Sequence, residues 1–275
     1  MAMKKSLNAW TVPDNVTFER MFSALKQAGF DGVELNLDAA GRSSHSLTME
    51  TSSHELRQIR RISEDTGLAV SGVSSSLWGK TTLCGGAQEL PAAQVLEQQI
   101  LCARELGADG ILIVPGGIGE GMGIREAWDH AQAELETCRG LIEQGGVMVG
   151  VENVWNNFFI SPFDMARFID EMAMKNLGAY FDAGNVAIFS WPEYWIDILN
   201  RRVMKVHVKD FRRTGTNAGF FCNLLEGSIR WDKVMEALKN AGYDGYLTAE
   251  LSAMPSAPEY LYDITARALG IILGM

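Results

Sequence analysis

AGFDGVELNL (28–37), LGADGILIVP (106–115) and AGYDGYLTAE (241–250) are three copies of one theme: a glycine, an Asp-Gly pair and a β-rich run. An amphipathic stretch precedes each copy. Phe18, Met21, Phe22 and Leu25 form one stripe at helical spacing, and Trp231, Val234, Met235 and Leu238 form another. Gly29, Gly107 and Gly242 stand where a helix favours a left-handed terminal residue. The runs that follow are nearly continuous apolar, as parallel strands covered on both faces require. LAVSGVSS (68–75) is a looser copy. The theme is helix, turn, buried strand, repeated.

Working outward, candidate strands fall near 5–10, 32–37, 68–75, 110–114, 147–152, 177–182, 203–208 and 245–250. Helices fit between them near 14–28, 50–66, 90–106, 124–144, 162–174, 192–200 and 230–241, with a last one near 258–272. Eight alternating units predict an α/β fold, a closed (β/α)8 TIM barrel forming a single domain over 1–275. The competing fold, a doubly wound open sheet, normally places a glycine-rich phosphate turn after its first strand. Here the first strand runs into NAWTVPDN (8–15), which has no glycine.

Composition sets outer bounds. Hydrophobic residues make up 47% and charged residues 21%, the balance of an ordinary globular protein. A net charge of −10 argues against nucleic acid as a partner, because that binding relies on a basic surface. Cys84, Cys102, Cys138 and Cys222 include no C-x-x-C pair, so a reducing cytoplasm is expected rather than a disulfide scaffold. The start, MAMKKSLNAW, has no apolar stretch after its lysines and does not resemble a signal peptide. No run of about 18 apolar residues is present to span a membrane. The expected partner is a small molecule.

Four residues stand at the downstream ends of apolar runs: Glu152 (VMVGVE), Asp182 (LGAYFD), His207 (VMKVH) and Glu250 (YLTAE). Singly, each has an ordinary structural explanation. Glu152 and Glu250 would bond helix entries, Asp182 would cap a turn, and His207 would be a satisfied core imidazole. Together, on strands 5 to 8 of one barrel, they would share a rim. Three carboxylates and an imidazole suit a hard or borderline divalent cation. Trp10, Trp78 and Trp155 are candidates for an apolar wall over a sugar's carbon face. Lys209, Asp210 and Arg213 follow His207 on the same rim and are candidates for hydroxyl or phosphate contacts. Arg212 and Arg213, followed by the loop TGTNAG, favour slightly a phosphorylated or otherwise anionic substrate. PGGIGEGMG (115–123) would form an anion nest or a mobile rim loop. WGKTT (78–82) is not a P-loop, because the required glycine is Ser74. His45, His54 and His130 are expected at the surface.

GFDGVELNLD, VGVENVWNNFFISP, AYFDAGNV, VMKVHVKDFRR and EGSIRWDKVMEALKNAGYDGYLTAEL resemble the sugar phosphate isomerase/epimerase superfamily, the xylose isomerase-like barrels. Ketose 3-epimerases and L-xylulose-5-phosphate 3-epimerase are members. The resemblance implies one divalent metal per chain held by Glu152, Asp182, His207 and Glu250, manganese foremost, with magnesium, cobalt or zinc as alternatives. It makes Glu152 and Glu250 the catalytic acid/base pair, and Arg213, six residues after the histidine, a substrate contact. Many epimerases carry a histidine three residues after the aspartate; this chain has Asn185 there. The implied activity is isomerisation or epimerisation of a ketose or ketose phosphate through an enediolate, in a homo-oligomer, dimer or tetramer. The alternatives are an inosose dehydratase-type lyase on the same metal site and a non-catalytic sugar-binding barrel.

Overall fold

A computed structural model describes residues 3–85 and 90–275. Its strands are β1 (Lys4–Asn8), β2 (Gly32–Leu37), β3 (Ala69–Ser75), β4 (Gly110–Ile113), β5 (Met148–Glu152), β6 (Leu177–Asp182), β7 (Val203–Val208), β8 (Asp210–Gly215), β9 (Ala218–Cys222) and β10 (Tyr246–Ala249). Eight of them close into a parallel barrel in the order β1-β10-β7-β6-β5-β4-β3-β2. The expected barrel is therefore the fold, and each of its strands falls within about two residues of its predicted span.

The helices are α1 (Phe18–Ala28), α2 (Ser53–Thr66), α3 (Ala92–Leu106), α4 (Ile124–Thr137), α5 (Arg139–Gln144), α6 (Pro162–Met172), α7 (Ala183–Val186), α8 (Pro192–Leu199), α9 (Trp231–Asn240) and α10 (Pro258–Leu273). Their ends follow local chemistry. Ser52 with Glu55, and Ser161 with Asp164, form capping boxes that start α2 and α6. Gly29, Gly107 and Gly242 have φ of 92°, 76° and 77°, the left-handed geometry expected of them. The single helix expected over 124–144 is broken at Cys138, where α4 ends and α5 begins.

The strands are less uniformly apolar than their sequences suggest. Alternate positions face the helices and carry the apolar core: Val33, Leu35 and Leu37 on β2, Phe181 on β6, Val206 and Val208 on β7. The other face lines the barrel interior and is polar: Ser6, Asn8, Glu34, Ser74, Tyr180, Lys205 and His207 are all buried and bonded to residues of other strands. A second departure lies after β7. The stretch read as a flexible loop is an antiparallel hairpin, β8–β9, turning at Asn217 with φ of 52°. The four cysteines are unpaired, and among the described residues no helix is long and apolar enough to cross a membrane.

Candidate active site

Glu152, Asp182 and His207 end or nearly end β5, β6 and β7, and Glu250 directly follows β10. Because these barrel strands are parallel neighbours in the order β5, β6, β7, β10, their ends meet at one rim. One ligand atom from each of the four lies within 4.8 Å of the others. His207 Nδ1 is 3.2 Å from Glu152 Oε1 and 3.8 Å from Glu250 Oε2. Asp182 Oδ1 caps α7 by accepting the Asn185 amide at 2.8 Å, so the capping explanation holds for one oxygen. The other oxygen, Oδ2, accepts no hydrogen bond although it is buried; the Lys209 ammonium lies 3.0 Å away as an ion pair without hydrogen-bond geometry. Lys209 also donates to Glu250 Oε2.

The electrostatics favour a cation. Glu34, Glu152, Asp182 and Glu250 converge on one imidazole and one ammonium, so negative charge is in excess. Burial pushes the Glu152 carboxyl up to about 7, against the pull of His207 and with help from Glu250 and Asp182. Burial also raises Asp182, less the attraction of Lys209. Desolvation works against the charge of half-buried Glu250 too, yet Lys209 and His207 hold it below the usual carboxylate range. The two glutamates thus sit in environments that push their proton affinities apart, the pattern of an acid/base pair. For His207, burial opposes the charged ring, but the surrounding carboxylates raise its proton affinity well above normal. A divalent ion fits this set: the oxygens are hard, Asp182 Oδ2 lacks a donor, and the charge is uncompensated.

The other predicted residues divide. Trp10, Lys209 and Glu250 line a cavity of about 450 Å³ together with Phe221, Asn223 and Glu226. Trp10 is fixed there by donating Nε1–H to Asp38 at 3.3 Å. Trp155 is half exposed, donates to Asn185 O at 2.7 Å and stacks on Phe221 with centroids 5.0 Å apart. Trp78 is not a wall of the cavity. It is buried in the core and donates to Leu112 O at 2.9 Å, because its indole fills space between β4 and α3. Asp210 is not turned to the cavity either. It is buried and its carboxylate accepts from the amides of Phe211, Leu225 and Ile229 and from Trp231 Nε1, so it anchors the excursion 211–229. Gly227 permits this: a Cβ there would stand 1.8 Å from Asp210 Oδ1.

Arg213 spends its fork on the carbonyls of Ala187 and Ser190 and stacks over Trp191, 4.5 Å from the ring centroid. Arg212 donates to Glu226 O. Asn185 is buried beside Asp182. Of the histidines expected at the surface, His54 is exposed, but His45 is buried, with its ring nitrogens 2.8 Å and 3.1 Å from Val16 O and Ala9 O. His130 is half-buried against Thr82 O. A groove of about 720 Å³ lies on the outer wall between α4 and α6, away from this chemistry.

The sequence reading missed Glu34. It sits on β2 and is fully buried, and it accepts from Asn8 Nδ2 at 2.6 Å, from Ser74 Oγ, from Tyr180 OH and from His207 Nε2 at 2.7 Å. Burial would raise its carboxyl, but His207 and these donors bring it down to about 2. The signal was a charge in the apolar run GVELNL, the same signal that selected Glu152.

The profile of the xylose isomerase-like TIM barrel family matches residues 22–269. The chain belongs to that family. This xylose isomerase-like barrel spans about half the length of the curated relatives it matches. One of them, inosose dehydratase of Geobacillus thermodenitrificans, is 26% identical over 160 residues, 52% of this chain and 53% of the relative. Solved structures share the fold at low identity. The IolI protein with a bound zinc atom superposes with a TM-score of 0.81 at 13% identity, covering 99% of this chain and 98% of that one. L-ribulose 3-epimerase superposes at 0.78 and 18% identity, covering 99% and 95%.

Proposed function

We propose that this barrel is a divalent-metal-dependent isomerase or epimerase of a neutral ketose. The observation that carries the reading is the convergence of Glu152, Asp182, His207 and Glu250, with both glutamates facing Nδ1 of the histidine. Asp182 and His207 would hold the ion, with Glu152 and Glu250 completing its shell. The ion, when bound, supplies Lewis-acid stabilisation of negative charge developing on a carbonyl oxygen.

The protein's own residues do the proton work. Glu250, held ionised by Lys209, removes the proton from the carbon beside the carbonyl, and the C–H electron pair moves toward the carbonyl oxygen to give an enediolate. Glu152 returns a proton from the other side. Return to the same carbon inverts it; return to the former carbonyl carbon, with the proton of the adjacent hydroxyl passing to the former carbonyl oxygen, shifts the carbonyl. Trp10 and Phe221 offer apolar faces to the sugar's carbon skeleton.

A neutral substrate is favoured over the phosphorylated one that the arginine pair suggested. Arg212 and Arg213 are committed to main-chain carbonyls, and the cavity is lined by the carboxylates of Glu226 and Glu250. A phosphate dianion would enter against like charge. The likeness to an inosose dehydratase supports a second reading, in which the same proton abstraction is followed by loss of a hydroxyl instead of reprotonation.

Incubating the metal-loaded protein with free and phosphorylated ketoses in D2O tests the proposal. Deuterium is expected at the carbon beside the carbonyl in a product of otherwise unchanged composition, and Glu152→Gln and Glu250→Gln should each stop interconversion. Loss of one water from the product selects the lyase. Normal turnover in either variant removes that glutamate from the mechanism.

A further inference from the structure

Glu34 is the one carboxylate of the cluster that has no place in the proton transfers or in the four-ligand set. It lies beneath that set, on the opposite arc of the barrel from β6 and β7, and it is fully buried. Its partners come from four other strands: Asn8 from β1, Ser74 from β3, Tyr180 from β6 and His207 from β7. Oε1 accepts from Asn8, Ser74 and His207, and Oε2 from Tyr180. Space for this arrangement is built in. A Cβ at Gly72 would stand 3.1 Å from Glu34 Oε2 and 3.2 Å from Tyr180 OH, and one at Gly150 would stand 2.8 Å from Tyr180 Cβ. A buried carboxylate needs its lone pairs filled, and here both oxygens are.

The consequence falls on His207. Its two nitrogens face different environments: Nε2 lies 2.7 Å from Glu34 Oε1, while Nδ1 faces Glu152 and Glu250. In a neutral imidazole, one nitrogen donates and the other carries a lone pair. A carboxylate that accepts only can bind the ring only through an N–H. We propose that Glu34 is the positioning residue of the site: by holding the Nε2 proton it fixes the His207 tautomer that presents the Nδ1 lone pair to the rim. Asn8, Ser74 and Tyr180 in turn fix Glu34, so ring orientation is set by strands on both sides of the barrel. This rests on the metal-binding reading above. It adds that the site's affinity depends on a residue outside the four-ligand set. Partners of this kind typically change metal affinity about 10- to 100-fold.

The test is titration of the full-length, chelator-stripped protein with Zn2+ against a competing indicator, with NMR of the imidazole N–H protons in the Zn2+-loaded state. Wild type is expected to bind one Zn2+ and to show a far-downfield, slowly exchanging His207 Nε2–H. Glu34→Gln keeps the shape but not the charge; it is expected to bind Zn2+ about 10- to 100-fold more weakly and to move that resonance upfield. Glu34→Asp keeps the charge, draws it away from the ring, and should fall between the two; it serves if the glutamine variant does not fold. Unchanged affinity and an unchanged resonance in a folded variant overturn the role of Glu34 and leave the metal site standing. Failure of wild type to bind Zn2+, Mn2+ or Mg2+ overturns the metal reading itself, and with it this inference.

Discussion

Replacing Glu152 by glutamine should stabilise the metal-free protein at alkaline pH while destroying its site. The carboxyl is buried and its proton affinity is raised from 4.5 to about 7. Below pH 4.5 the folded and unfolded chains both hold the proton, and the group's stabilising contribution is fully present. Between 4.5 and about 7 the unfolded chain has released a proton that the folded one retains, so stability falls as pH rises. At about 1.4 kcal/mol per pH unit, the loss above pH 7 is roughly 3 kcal/mol. Most of it develops between pH 5 and pH 8. Glutamine has no such titration, and its side-chain oxygen still accepts from His207 Nδ1, 3.2 Å from the present carboxylate. Equilibrium urea unfolding in the presence of chelator, at pH 5 and pH 8, measures the difference. The stability advantage of Glu152→Gln over wild type should grow by roughly 2 to 3 kcal/mol across that interval. Parallel profiles, with a constant difference, would refute the claim that burial holds a proton on Glu152.

Further outcomes follow from the same geometry. His207→Ala should lose stoichiometric divalent-ion binding while keeping native circular dichroism; one tightly held ion per chain in that variant would contradict the ligand set. Asp210→Ala leaves the amides of Phe211, Leu225 and Ile229 and the buried Trp231 indole without their acceptor, at a cost of about 3 kcal/mol. Limited proteolysis should then cut within 211–229, and an uncut segment would argue against the anchoring role. Trp78→Ala should cost about 3–5 kcal/mol in thermal or urea unfolding with KM little changed. Trp10→Ala should raise KM with little loss of stability; the reverse pattern would return Trp78 to the cavity.

The repeat, the helix caps and the strand positions were legible in the sequence because their causes are local. A left-handed glycine after an amphipathic stripe ends a helix whatever surrounds it, and Gly29, Gly107 and Gly242 did so. The strand-end residues were legible for a related reason: a charge at the edge of an apolar run needs a partner. The hairpin β8–β9 was hidden because TGTNAG suits a loose loop as well as a tight turn; its aromatic partners Phe211 and Phe221 are ten residues apart.

What tertiary structure alone decided was pairing across the barrel. Glu34 and His207 are 173 residues apart and meet only because the sheet closes on itself. Arg213 reads as a free cation in the sequence, yet carbonyls 26 and 23 residues upstream claim its guanidinium. Trp10 and Trp78 look alike as rim aromatics, and burial separates one as a cavity wall from the other as core. Local preferences extend over a few residues and fix the elements. Which buried donor satisfies which buried acceptor depends on closure and registry, and those bring distant residues to hydrogen-bond distance only in the assembled barrel.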